Sequence, residues 1–295
     1  MRRRTLASDA LPAWSFMAPG LLVIGVFVLF PIVYSIPLAL TDYSVLGETK
    51  FIGLDNFRRA FADDSFLVSL WNSVLYIIVV PVLQILSILI AILVNSRIPG
   101  IQAFRAAYYI PVVTSMVAVA LMWNWLLSQN GVVNYILITL GITDQKIGWL
   151  STSSTALYVL MFITLWKGLG YYMMLYLAGL QSIPADLYEA AIVDGASRAQ
   201  RVRLITIPLL RPYIFFCSLI SLMGAIRVFD EMFVLTQGGP GTSTLTSSLY
   251  IYEQGLEQLN FGYASALGLI VSVIVGVLSV IVFRFNRQGG VNPYG

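Results

Sequence analysis

Six stretches of the chain are predominantly apolar for about twenty residues or more, and polar segments separate them. A bilayer's hydrocarbon core takes about 20 helical residues to cross. The pattern therefore predicts spans near Phe16–Leu40, Trp71–Asn95, Ala106–Leu127, Thr155–Leu177, Pro212–Leu235 and Ala264–Phe283. Pro31, Pro37, Pro81 and Pro111 fall inside or at the edges of these spans, where neighbouring helices can satisfy the carbonyls that a proline frees. The expected fold class is all-α, a polytopic membrane protein with six transmembrane helices. Between the spans, residues 41–70 carry Phe51, Phe57, Phe61 and Phe66 among Asp and Asn, which predicts a short helix along the outer surface. Residues 236–247 read as a Gly/Pro/Ser/Thr turn region without helical periodicity.

Composition agrees with that pattern. Of 295 residues, 58% are hydrophobic and only 11% charged; the mean hydropathy is +0.84. A soluble domain carries about a quarter of its residues charged, so this chain could not maintain a solvated surface. Arg2, Arg3 and Arg4 precede the first apolar stretch, which is too long for the core of a cleaved signal and has no A-x-A site after it. A retained first span is expected.

Charge placement sets the orientation. With the N-terminus inside, eleven basic residues are internal: Arg2, Arg3, Arg4, Arg97, Arg105, Arg198, Arg201, Arg203, Arg211, Arg284 and Arg287. Four are external: Lys50, Arg58, Arg59 and Lys146. Acids such as Asp42, Glu48, Asp55, Asp144, Glu253 and Glu257 fill the outer loops. The bias places both termini in the cytoplasm. By this reading residues 1–65 form the N-terminal tail, first span and outer loop, 66–286 the permease core, and 287–295 a cytoplasmic tail.

Several chemistries have no residues to support them. The chain has no histidine, the commonest general base and metal ligand, and its single cysteine, Cys217, reads as a small buried apolar residue. No metal site or cofactor is expected. No G-x-x-x-x-G-K-[ST] occurs, so the nucleotide of any ATP-driven process must sit on another polypeptide. Without a nucleophile–base constellation, an intramembrane enzyme is disfavoured. An ion-coupled secondary transporter is the other rival; such proteins use buried carboxylates, and here Asp230 and Glu231 are the acids inside or edging a span.

Residues 181–211 form a loop on the inner side. Pro184 suits the first helical position, and Asp186 and Glu189 favour the early turns of a helix. Leu187, Ala190, Ala191 and Asp194 fall along one broad, low face, and Gly195 supplies a stop. Ser197 can cap a second helix, with Arg198, Arg201 and Arg203 polar and Val202 and Ile205 inward, which Pro208 ends or kinks. From these residues alone the segment is either a surface hairpin or a docking element.

The spacing resembles a family signature. Glu189-Ala190-Ala191, three residues, Gly195, nine residues and Ile205-Thr206-Ile207-Pro208 resemble the EAA loop of binding-protein-dependent ABC importers, with Ile207 in place of leucine. Phe51-Ile52-Gly53-Leu54-Asp55-Asn56-Phe57 resembles the F-x-G-L-x-N-F segment of carbohydrate-uptake permeases, and Thr236-Gln237-Gly238-Gly239-Pro240 their T-x-G-G-P turn. The resemblance covers roughly residues 14–286 and is to the maltose-F, glycerol-phosphate-A and sugar-permease-A group, without the long periplasmic insertion of some maltose-type members. It implies a MetI-like, type I importer permease. It also implies a second permease as heterodimer partner, two ATP-binding subunits and an extracytoplasmic solute-binding protein. Glu189, Ala190, Ala191, Asp194 and Gly195 would be the ATPase-coupling residues.

Two basic residues lie inside predicted spans, Lys167 and Arg227. Each costs about 2.5–3.5 kcal/mol to insert, which marks both for a function. Asp230 and Glu231 follow Arg227 at helical spacing and could pair with it; Lys167 has no acid along its own helix. Aromatic neighbours Trp166, Tyr171 and Phe229 could present faces to a sugar or could simply pack. The family resemblance implies a substrate pathway at Lys167, Gly168, Tyr171, Ile226 and Arg227. The expected cargo is a sugar, a di- or oligosaccharide or related glycoside, or alternatively an anion such as glycerol 3-phosphate or a sugar phosphate.

Overall fold

The computed structural model describes residues 6–43, 49–95 and 99–287, with side chains from Trp14 to Arg284 within those limits. Arg2, Arg3, Arg4, Glu48, Arg97 and the tail from residue 288 lie outside the described residues, as does the side chain of Arg287. The described residues are helical throughout, apart from turns and one isolated bridge between Thr41 and Phe51. Five helices are long and apolar enough to cross a membrane: Trp14–Ala39, Asp64–Val94, Ser153–Gln181, Arg211–Leu235 and Phe261–Arg284. Each coincides with one of the expected spans.

The third expected span differs. Ala106–Leu127 is not one helix but two, Ile101–Val113 and Met116–Leu126, bent by 100°. Thr114 and Ser115 take extended ψ angles of 135° and 137°, which no α-helix accommodates. The preceding turn prepares the break. Pro111 has no N–H to give the Ala107 carbonyl, and the Thr114 hydroxyl donates to the Ile110 carbonyl at 2.8 Å beside the Thr114 N–H at 3.2 Å.

The chain divides into two compact units. One comprises the chain to Asp63 with Ile251–Val271, the other Asp64–Tyr250 with the chain from Ser272. In the first, the span Trp14–Ala39 buries none of its apolar window, as suits a helix that meets lipid or another chain. The outer helix Asp55–Ala62 is tied to its end by Asn56. That side chain is 4% exposed, and its amide donates to the carbonyls of Ala39 and Thr41, both at 2.9 Å. Gly53 turns the chain into this helix at φ +60°. Tyr263, at the start of the last span, donates to Asp63 at 2.7 Å and lies 4.0 Å beneath the Arg59 guanidinium.

In the second unit, the Val79–Val94 half of the second span packs against Ser153–Gln181. Gly170 permits the helix Ile101–Val113 to approach the fourth span, since a Cβ there would sit 2.0 Å from the Tyr108 carbonyl oxygen. The segment 236–247 is more than an outer turn. Thr244, Thr246 and Ser247 are fully buried, and Asn72 of the second span donates to the carbonyls of Thr242 and Leu245 at 3.0 and 2.9 Å. A polar turn stays buried only when its backbone groups find partners, and here side chains supply them.

Candidate functional site

The span Arg211–Leu235 is continuous in hydropathy but not in hydrogen bonding. Its first helix ends at Ile226, and a second begins at Asp230. Between them Arg227 to Phe229 are unwound. Buried irregular backbone needs outside partners, and the Thr246 hydroxyl supplies one by donating to the Val228 carbonyl at 2.9 Å. The break re-aims the following residues at a cavity of about 490 Å³.

Four elements line this cavity: Tyr76 from the second span, Val112 from the bent pair, Thr164 to Tyr172 from the fourth span, and Ser221 to Glu231 from the fifth. Lys167, Gly168, Tyr171 and Arg227 are all on its wall. Ile226 is not: it is the last helical residue before the break, 3% exposed, and does not line the cavity. The i, i+3 and i, i+4 pairing of Arg227 with Asp230 and Glu231 that the spacing allowed does not form either. An ion pair does form between Arg58 and Asp55, at 2.9 Å on the surface. Helical spacing means nothing across an unwound segment.

The wall carries groups that hydropathy did not mark. The Thr164 hydroxyl donates to Glu231 Oε1 at 3.1 Å, and the fully buried Tyr76 hydroxyl lies 2.6 Å from Thr164. Since Thr164 spends its one proton on the carboxylate, Tyr76 must donate to Thr164. The chain of bonds fixes Glu231 across three elements. A second network lies beside it. Tyr176 donates to Gln84, Gln84 donates to Ser221 at 2.8 Å, and Ser221 donates to the Cys217 carbonyl at 2.8 Å. Cys217 itself is a buried free thiol. Tyr76, Thr164 and Gln84 are polar residues in apolar runs, a signal legible in sequence, but their convergence is not.

The loop 181–211 has the helix–elbow–helix form. Its first helix, Ala185–Val193, starts after Pro184, which takes the N-cap position rather than the first helical one. It ends in a Schellman arrangement: Ala196 N–H bonds the Ala191 carbonyl at 2.8 Å and Gly195 N–H the Ile192 carbonyl at 3.0 Å. Gly195 has φ +76°. Ser197 and Gln200 form a reciprocal capping box for the second helix. Glu189, Ala190, Asp194 and Gly195 are exposed and Ala191 half-buried. Val193, on the same stretch, is 87% exposed.

Comparison with known proteins matches these features to one family. Residues 21–288 fit the family described as the binding-protein-dependent transport system inner membrane component. The lactose transport system permease protein LacF of Rhizobium radiobacter is 36% identical over 93% of this chain and 94% of its own. The trehalose/maltose transport system permease protein MalF of Thermococcus litoralis is 32% identical over 95% of both chains. Among solved structures, a bacterial ABC transporter involved in import of the acidic polysaccharide alginate superposes with a TM-score of 0.83, at 26% identity, over 96% of this chain and 98% of that one. A second structure of the alginate transporter, in complex with its pentasaccharide-bound periplasmic protein, superposes with a TM-score of 0.84. An all-helical chain with a broken fifth span and a glycine-elbow loop, matched along nearly its whole length, belongs to the inner membrane permease family of binding-protein-dependent ABC importers.

Proposed function

We infer that the chain forms half of the translocation pathway of an ATP-driven importer for a neutral di- or oligosaccharide. The observation that carries this reading is the charge balance of the 490 Å³ cavity. Lys167 and Arg227 face it together with Asp230 and Glu231, and Tyr171 and Phe229 add aromatic surface. Equal numbers of cations and acids give no net attraction for an anion, while hydroxyl-rich cargo can use both as hydrogen-bond partners. The lactose and trehalose/maltose transport roles in the names of the relatives are consistent with this class. An anionic glycoside is the second reading, favoured by the absence of a closed ion pair on Lys167 and Arg227 among the described residues.

In the same reading the chain pairs with a second permease, and two ATP-binding subunits dock at the loop 181–211. An extracytoplasmic binding protein delivers cargo, as the periplasmic protein of the alginate transporter complex suggests. Glu189, Ala190, Ala191, Asp194 and Gly195 are the coupling contacts, residues 66–286 are the permease core, and both termini are cytoplasmic. Lys167, Gly168, Tyr171 and Arg227 contact cargo, with Ile226 packing behind them. Uptake into proteoliposomes holding the full importer decides between the readings. Competition by neutral oligosaccharides at equal or lower concentration than by sugar phosphates is expected. Stronger competition by sugar phosphates would transfer the assignment to the anionic class, and uptake without ATP would remove the importer reading altogether.

A further inference from the structure

A second cavity, of about 240 Å³, lies where the loop folds back on the ends of two spans. Asn95 contributes from the end of the second span, Leu180 from the fourth, and Tyr188, Arg198, Arg201 and Thr206 from the loop. Two guanidinium groups and no carboxylate line it among the described residues. Arg198 and Arg201 are one helical turn apart, so their heads share a face.

The second loop helix is held in place by hydrogen bonds at Thr206. The Thr206 hydroxyl, 3% exposed, donates to the Arg201 carbonyl at 3.4 Å and lies 3.0 Å from the Tyr188 hydroxyl. That anchoring turns Arg201 beneath the loop, where its Nε is shielded from solvent and has no hydrogen-bond partner. A shielded guanidinium donor without an acceptor is costly, and a bidentate oxyanion is the partner its geometry fits best. Arg203, two residues on, is exposed and outside the cavity wall. The volume is below the roughly 300–1,000 Å³ of ordinary small-molecule pockets, which fits one phosphate-sized group rather than a glycan.

We propose that this cavity binds a phosphate group through Arg198 and Arg201. The group comes either from the headgroup of an anionic phospholipid, since basic pockets between span ends suit such headgroups, or from free phosphate or a phosphorylated metabolite. Binding on the span-facing side of the loop leaves Glu189, Ala190 and Gly195 exposed. An occupant would tie the loop to the second and fourth spans. That regulatory consequence rests on the loop being the docking element; the binding itself does not.

The test uses the full-length chain purified in detergent, without ATPase subunits. Thermal unfolding is followed against inorganic phosphate, with chloride at matched ionic strength as the reference. Phosphate is expected to raise the unfolding midpoint beyond chloride, with affinity at least tenfold weaker in R201Q and unchanged in R203Q. Should R201Q fail to fold, R198Q, at the exposed edge of the cavity, is expected to weaken binding two- to fivefold. Native mass spectrometry from phosphatidylglycerol nanodiscs, against phosphatidylcholine ones, separates the sources. Retention of phosphatidylglycerol by wild type and its loss from the weakened variant assigns the lipid headgroup. Arg201-dependent phosphate binding without lipid retention assigns the free group. Equal shifts with phosphate and chloride, or equal loss in R203Q, overturn the proposal and leave the docking role of the loop, tested by uptake, untouched.

Discussion

Asn56 shows how one side chain can give a sequence motif its physical meaning. Its amide closes two backbone carbonyls left open where the first span ends, and Gly53 makes the turn that brings it there. Asn56→Ala removes both bonds, and the buried Ala39 carbonyl then lacks this donor, at about 1–3 kcal/mol; a lowered unfolding midpoint of the purified protein is the measurement. Glu253 offers a second check, outside the spans. Burial first, and the neighbouring Glu257 second, hold its carboxyl above the usual carboxylate range. A folded-state pKa above the unfolded one means the carboxyl favours the folded protein while protonated, and that contribution fades as pH rises through the folded value. Glu253→Gln should therefore unfold at a higher temperature than wild type at neutral pH. The difference should vanish as pH falls below the ordinary carboxylate range, and a difference constant across pH would contradict the argument. Arg227 carries the opposite lesson. Its spacing to Asp230 and Glu231 reads as a helical pair in sequence, and the unwound backbone between them removes the premise.

At the scale of elements, long apolar windows give span positions reliably because the bilayer's thickness, not packing, sets their length. Breaks within spans follow another rule. The 100° bend at Thr114–Ser115 and the unwinding at Arg227–Phe229 interrupt windows whose hydropathy is unbroken. The first has a local signal, Pro111 followed by Thr-Ser. The second depends on Thr246, whose hydroxyl bonds Val228 from 18 residues away. Thr246→Val keeps the shape and removes the donor, so the buried carbonyl loses its partner at about 1–3 kcal/mol. Reduced transport with normal membrane insertion, together with a lowered unfolding midpoint, is the expected result. Unchanged stability would show that the break does not rely on this bond.

For the whole molecule, the proposed function requires that movement at the loop reach the cavity. The two are connected through the fourth and fifth spans, which flank the loop in sequence and line the cavity. Buried networks at Gln84–Tyr176–Ser221 and Tyr76–Thr164–Glu231 join those spans to the second, so that the three can move as a unit. Replacing Gly195 by proline forbids its positive φ, and Glu189→Lys inverts a charge on the exposed face. Both variants should insert normally and yet lose ATP-driven uptake in the assembled importer. Full uptake by the double variant would sink the docking role.

Hydropathy and motif spacing in the sequence determined the all-helical membrane class, the positions of five spans, the glycine elbow at Gly195 and the family. Those properties are set by solvent and by neighbours a few residues away, so a linear reading reaches them. Tertiary structure alone decided the break after Ile226, the burial of the 236–247 turn and the meeting of Lys167, Arg227, Asp230 and Glu231 in one cavity. Each rests on hydrogen bonds or close packing between distant segments, as with Asn72 and Thr242, 170 residues apart. A window of sequence holds one half of such a contact, and its energy exists only when the fold supplies the other.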